Sequence, residues 1–341
     1  MPDNRTIKIG GRLIGRGLST LLVAEIGGNH GGDPELARRM VQAAAEAGAD
    51  AVKFQAYRSA AFMSRRNPYY EELESEELSY EDLAALMAAA HDHGLAAGLT
   101  AFDDEGVELA VSARAEFIKI ASGDITHHRL LEKAARTDKP IFISTGASTQ
   151  AEVDAAMDTL DKAKGRLVVM QCASLYPAPL DSVDLAVMDR WLRSGVPAGY
   201  SDHTIGTTAA RMAVTLGALV LEKHFTIDRD LPGGDNSISA LPEDFRELAD
   251  WKALRVIMWG DDTKRIQPGE MEMRPVIRRA VVAKRDLPAG WKLTENDVAL
   301  MRPPRADGAL GPNYLGHVVR RTLKNGVNEG ELISLADLAD A

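Results

Sequence analysis

The sequence predicts an α/β fold, a (β/α)8 TIM barrel followed by a small β-rich module, and three observations carry that reading. Eight short apolar runs alternate with longer, alanine-rich amphipathic stretches. Polar and charged side chains gather at the C-terminal ends of those runs. Past residue 260 the texture changes to polar residues, prolines and turn signals.

The eight strand candidates are "LLVAEIG" (21–27), "AVKFQAY" (51–57), "LAAGLTAFD" (95–103), "FIKIASGD" (117–124), "IFISTG" (141–146), "LVVMQCAS" (167–174), "PAGYSDH" (197–203) and "ALVLEKHF" (218–225). Near-continuous apolar strands belong to parallel sheets covered on both faces. Between them, "DPELARRMVQAAAEAG" (33–48) reads as a helix, with Asp33 as N-cap, Pro34 at the first helical position and Gly48 as the stop. "SYEDLAALMAAAHDHG" (79–94) repeats the plan, with Ser79 and Asp82 in capping-box spacing. Eight such units close most readily into a barrel. A doubly wound open sheet has the same periodicity and stays as the structural alternative. The expected organisation is a barrel over 1–260 with an N-terminal β-hairpin cap, a linker over 261–275 ("DDTKRIQPGEMEMRP") and a separate module over 276–341.

Composition narrows the function classes. With 341 residues, 45% of them hydrophobic, the chain can bury a barrel core and a small extra domain. Its single cysteine, Cys172, excludes an intrachain disulfide framework and suits a reducing compartment. No apolar run approaches the roughly 20 residues of a membrane span, and "MPDNRTIKIGGRLIGRG" lacks a signal-peptide core. A soluble, cytoplasmic protein is expected. A net charge of −10 argues against general nucleic-acid affinity, which rests on neutralising phosphates.

In a barrel of this kind function collects where the strands end. Lys53 and Lys119 interrupt apolar runs, where an unused charge is expensive. With the hydroxyls of Ser122, Ser144 and Ser201 they suggest a pocket for a phosphate or carboxylate. His203 and His224 follow consecutive strands, and with Glu25 as a further oxygen or base they suit a divalent first-row metal and Lewis-acid activation of a carbonyl. Blander readings exist for each: a lone buried histidine is more often a satisfied core residue, and the two lysines suit structural ion pairs. His30 in "GGNHGG" is as well placed to cap a turn. His91, His93, His127 and His128 default to the surface, Cys172 to packing, and the acidic stretch "YYEELESEEL" (69–78) to a solvated face.

Seven motifs, "AEIGGNHGGD", "AVKFQAY", "FIKIASGD", "FISTGAS", "CASLYPAP", "GYSDHTIG" and "LEKHFTIDRDLPGGD", occur in an order and spacing that resemble the sialic acid synthase family, and the tail resembles that family's antifreeze-like SAF (β-clip) domain. The resemblance runs from about residue 6 to 337. It implies condensation of phosphoenolpyruvate with an N-acylated amino sugar, such as N-acetylmannosamine or a 2,4-diamino-dideoxyhexose, to a nine-carbon ulosonic acid with release of phosphate. By the same resemblance His203 and His224 are metal ligands, for manganese first and magnesium or cobalt as alternatives. Lys53, Lys119, Ser122, Ser144 and Ser201 become phosphoenolpyruvate ligands, and Glu25 the group that manages a proton or water. Gln55, Thr100, Ser174, Tyr176, Glu222 and Asp235 become the sugar-facing set. Arg302 becomes an arginine reaching the partner's site in a domain-swapped homodimer. Rival readings are another aldose acceptor, a Schiff-base aldolase or lyase using Lys53 or Lys119, and a non-catalytic sugar-binding protein.

Overall fold

The computed structural model describes residues 6–261 and 263–339, in two compact units that part between Gly260 and Asp261. In the first unit a hairpin of β1 (Thr6–Ile9) and β2 (Arg12–Gly15) precedes eight strands: β3 (Leu21–Glu25), β4 (Ala51–Ala56), β5 (Ala96–Ala101), β6 (Phe117–Ile120), β7 (Ile141–Ser144), β8 (Leu167–Cys172), β9 (Ala198–Asp202) and β10 (Val220–His224). All eight pair in parallel and in sequence, and β10 returns to β3 to close the barrel. The expected (β/α)8 barrel is thus the observed one, and closure excludes the open sheet. The helix Pro34–Glu46 starts as expected, Asp33 accepting the Glu35 N–H at 2.8 Å. Likewise Ser79 accepts the Asp82 N–H at 3.0 Å to start the helix Tyr80–Asp92.

Alternation along the strands divides the core in two. Outward residues such as Val52, Phe54, Leu99, Ile118 and Tyr200 pack with the helices. Inward residues Val23, Ala51, Phe117, Phe142, Val168, Met170 and Val220 form a second cluster, closed from below by Ile7, Ile9 and Ile14 of the hairpin. Phe117 and Phe142 stack there with ring centroids 4.4 Å apart. Gly98 makes room for them, since a Cβ on it would lie 2.0 Å from the Phe117 ring. The lower end of the barrel is therefore dry and packed.

In the second unit, β11 (Ala280–Ala283) pairs antiparallel with β12 (Val298–Met301), and isolated bridges add Leu332, Val327 and Thr322 around a small core of Val281, Leu287, Leu293, Val318 and Ile333. Most of the stretch read as a linker, 261–275, is polar and exposed, but a helix begins inside it at Glu270 and runs to Ile277. None of the described helices is long and apolar enough to cross a membrane.

Candidate active site

The inward parity that builds the dry lower ring continues two residues further along each strand, and there it turns polar. Val23 is followed inward by Glu25, Ala51 by Lys53 and Gln55, Gly98 by Thr100, and Phe117 by Lys119. Phe142 gives way to Ser144, Met170 to Cys172, Gly199 to Ser201, and Val220 to Glu222 and His224. These side chains line a cavity of about 480 Å³ at the C-terminal ends of the strands. Ser122, Ser174, Tyr176, His203 and Asp235, from the loops above, complete the wall. The barrel residues to which the resemblance assigns a site role thus all line one chamber. Arg302 belongs to the second unit, one residue past β12, and stands outside this set.

Two buried ion pairs organise the floor. The Lys53 ammonium forms an ion pair with Glu25 Oε2 at 2.5 Å and donates to Thr100 Oγ1 at 2.5 Å, while Gln55 Nε2 donates to Glu25 Oε1 at 3.1 Å. Opposite, the Lys119 ammonium pairs with Glu222 Oε1, which also accepts from Ser201 Oγ at 3.1 Å. All four charged side chains are nearly inaccessible. Burial pushes both carboxyls up, and the lysines pull them down, but not equally. Around Glu222 the ammonium groups of Lys119 and Lys53 win and hold the carboxyl at about 2. Around Glu25 burial wins over Lys53, helped by the negative charge of Glu222, and the carboxyl is raised above 4.5. Two neighbouring carboxyls with opposed shifts are the arrangement that separates a permanent anion from a proton carrier.

The histidines stand beside this floor, His203 and His224 having ring centroids 5.4 Å apart, and Tyr176 stacks on His203 at 4.2 Å. His203 Nδ1 lies 2.8 Å from the Ala173 carbonyl, so it carries a proton and donates; against the cost of burial, Cys172 and that carbonyl raise the imidazole above its usual range, and only when the ring is neutral does Nε2 offer a lone pair. Burial, reinforced by His203 and Lys53, pushes His224 well below the usual imidazole range and keeps it neutral. Its Nδ1 makes no hydrogen bond and lies 3.4 Å from Asp235 Oδ2. A neutral His224 beside the Nε2 of His203 would fit a divalent cation, whose binding requires His203 to give up its second proton. Among the described residues no group of three or more His, Cys, Asp or Glu side chains could hold a metal ion. Buried Ser144 Oγ and Glu222 Oε2 are also without a hydrogen bond, further unfilled polar capacity in the chamber.

Two readings from the sequence need correction, those of Cys172 and the acidic stretch, and the open choice at His30 falls to the turn cap. Cys172 lines the cavity instead of packing in the core, its sulfur 3.8 Å from His203 Nδ1; its inward parity with Met170 was the signal for this. His30 is buried, but its Nδ1 accepts the Gly32 N–H at 3.0 Å, which makes it a turn cap and not a member of the cavity wall. The acidic stretch 69–78 is a solvated face only in part: Glu71, Glu72 and Glu74 are exposed, but Tyr70, Glu76 and Leu78 are buried, and Glu77 accepts the Ser59 N–H at 2.7 Å. Phe62 and Phe102, unremarked in the sequence, form an aromatic pair on the cavity wall with centroids 4.5 Å apart.

Comparison with known proteins agrees with this geometry. The NeuB family pattern matches residues 40–261, and the SAF domain pattern matches residues 278–339. An uncharacterised protein of Methanocaldococcus jannaschii is 38% identical over 97% of this chain and 98% of its own. The N,N'-diacetyllegionaminic acid synthase of Legionella pneumophila is 33% identical over 97% of each chain. Among solved structures, the N-acetylneuraminic acid synthetase of Leptospira borgpetersenii, in complex with citrate, superposes with a TM-score of 0.76 at 31% identity, covering 80% of this chain and 95% of that one. On these matches the chain belongs to the NeuB family, is an enzyme of that family, and carries a SAF domain.

Proposed function

We propose that the enzyme condenses phosphoenolpyruvate with an N-acylated amino sugar, N-acetylmannosamine or a 2,4-diamino-dideoxyhexose, to a nine-carbon ulosonic acid of the sialic, legionaminic or pseudaminic type, releasing phosphate. The relatives that carry an activity in their names, the legionaminic and N-acetylneuraminic acid synthases, support this reading. The observation that carries it is the juxtaposition, in one chamber, of two lysines and the unpartnered Ser144 hydroxyl with two imidazoles. The first set suits an anion with two charged ends. The second suits an aldehyde oxygen.

Lys53, Lys119, Ser122, Ser144 and Ser201 would hold and neutralise the phosphate and carboxylate of phosphoenolpyruvate while an oxocarbenium-like centre develops at C2. Gln55, Thr100, Ser174, Tyr176, Glu222 and Asp235 would orient the open-chain sugar so that its aldehyde carbon faces C3. A divalent cation on His203 and His224, manganese before magnesium or cobalt, would supply polarisation of the aldehyde oxygen. Glu25, with its raised carboxyl, would carry a proton to that oxygen as the C–C bond forms and take one from the water that adds at C2. Cleavage of the C2–O bond then expels phosphate and leaves the 2-keto acid. A Schiff-base route through Lys53 or Lys119 is disfavoured, because each amine is already engaged in a buried ion pair, with Glu25 and Glu222 respectively. The same reading gives the chain a catalytic unit over 1–260 and a SAF unit over 276–341. It also gives a cytoplasmic location and a domain-swapped homodimer in which Arg302 completes the partner's sugar site.

The test is phosphate release from phosphoenolpyruvate with a panel of amino sugars, with manganese and with chelator. Release that requires both the sugar and the cation is expected. Phosphate formed without any acceptor, or a lysine adduct trapped by borohydride, would overturn the assignment.

A further inference from the structure

The acidic stretch 69–78 contains a side chain that the mechanism does not use and that is costly where it stands. Glu76 is 9% exposed, and its charged neighbours are Glu72 and Asp235, both acidic. A buried carboxylate among like charges persists only where it is held for something. Its Oε1 accepts the Gly234 N–H at 2.5 Å. The fit around it is close. A Cβ on Gly28 would lie 2.2 Å from Glu76 Oε2, one on Gly233 3.0 Å from Oε1, and one on Gly32 2.3 Å from the Ser75 carbonyl oxygen. Gly234 itself sits at φ +53°, with its ideal Cβ 2.8 Å from Asn29 Oδ1. Three loops therefore interlock: the glycine-rich turn after β3, the acidic segment after β4, and the "PGGDN" turn after β10. The next residue in that last turn is Asp235, whose Oδ2 approaches His224 Nδ1 at 3.4 Å.

We propose that Glu76 is a positioning residue, which fixes the 232–236 turn through the Gly234 amide and so sets Asp235 against the acceptor half of the chamber. The inference rests on the proposed function for the identity of the acceptor, but the clamp itself does not. Glu76 touches neither substrate in this scheme. It acts through the backbone of the residue before Asp235, and so belongs to the wall that selects the sugar instead of the floor that holds phosphoenolpyruvate.

The experiment uses the full chain as wild type, Glu76→Ala and Glu76→Gln, with N-acetylmannosamine or whichever amino sugar the wild type accepts. Two readouts are taken: backbone amide exchange of the 230–237 segment without substrate, and the KM values for both substrates. Glu76→Ala is expected to speed exchange at Gly234 and raise the acceptor KM by about tenfold, as for loss of one charge-assisted hydrogen bond, with the phosphoenolpyruvate KM within about twofold of wild type. Glu76→Gln keeps an accepting oxygen and is expected to fall close to wild type on both. Unchanged exchange at Gly234, equal shifts of the two KM values, or Gln behaving as Ala would each overturn the proposal. Should the wild type release no phosphate with any sugar, the functional reading fails while the exchange arm still decides the clamp.

Discussion

The two ends of the barrel interior are built from the same strands at the same inward parity, yet one is a hydrocarbon plug and the other an ionic chamber. At the lower end Phe117, Phe142, Met170 and Val220 meet the hairpin's isoleucines. One residue pair higher, the same strands offer Lys119, Ser144, Cys172 and Glu222. Below, each side chain is satisfied by contact alone, and shape is the constraint. Above, each charge is tolerated only because a partner stands within hydrogen-bond reach, and several polar atoms are still unfilled. The lesson is a division of labour along a strand of four to six residues: rigidity is supplied at its first half and reactivity at its second.

Three perturbations sharpen the contrast. The largest effect is expected at the upper end, where His203→Ala or His224→Ala should cut turnover by about a thousandfold or more, in line with loss of a metal's electrostatic assistance. Thermal unfolding should move less than for a truncation in the lower plug, because each imidazole borders the chamber, although His203 also loses its stack on Tyr176 and its bond to the Ala173 carbonyl. Phosphate-release assays beside melting curves check this; a large drop in Tm with residual activity would break the comparison. Next in size is Phe117→Ala at the lower end, expected to cost about 3–5 kcal/mol in denaturant titrations while the KM values of the folded fraction hold. A third perturbation is acid. Glu222 is held at about 2 against an ordinary 4.5, so the stability it contributes is fully present above pH 4.5 and is lost as pH falls from there towards 2. Stability measured across that interval should fall less steeply in Glu222→Gln than in wild type. Identical slopes would show that the Lys119 pair contributes nothing in the folded state.

Much of this was legible in the amino-acid order. The eight strands announced themselves because parallel strands buried on both faces leave uninterrupted apolar runs, and the chamber announced itself because Lys53, Lys119 and Glu222 break those runs at a cost that needs a reason. Ion-pair partners were not legible: that Lys53 meets Glu25 and Lys119 meets Glu222 depends on register across the barrel, which no local pattern carries. Cys172 was misjudged because its neighbours in sequence are apolar, although strand parity places it with Ser201. Glu76 was hidden for the opposite reason. In a stretch rich in glutamates, nothing local separates the one that docks on a glycine slot from those that face water.

The plug under the chamber has a consequence for traffic. A barrel sealed at its base by Ile7, Ile9, Ile14 and the stacked phenylalanines is a cup and not a pipe. On the proposed function, a ligand seated against the lysines would therefore enter and leave past the rim, and ordered binding is the kinetic expectation that follows.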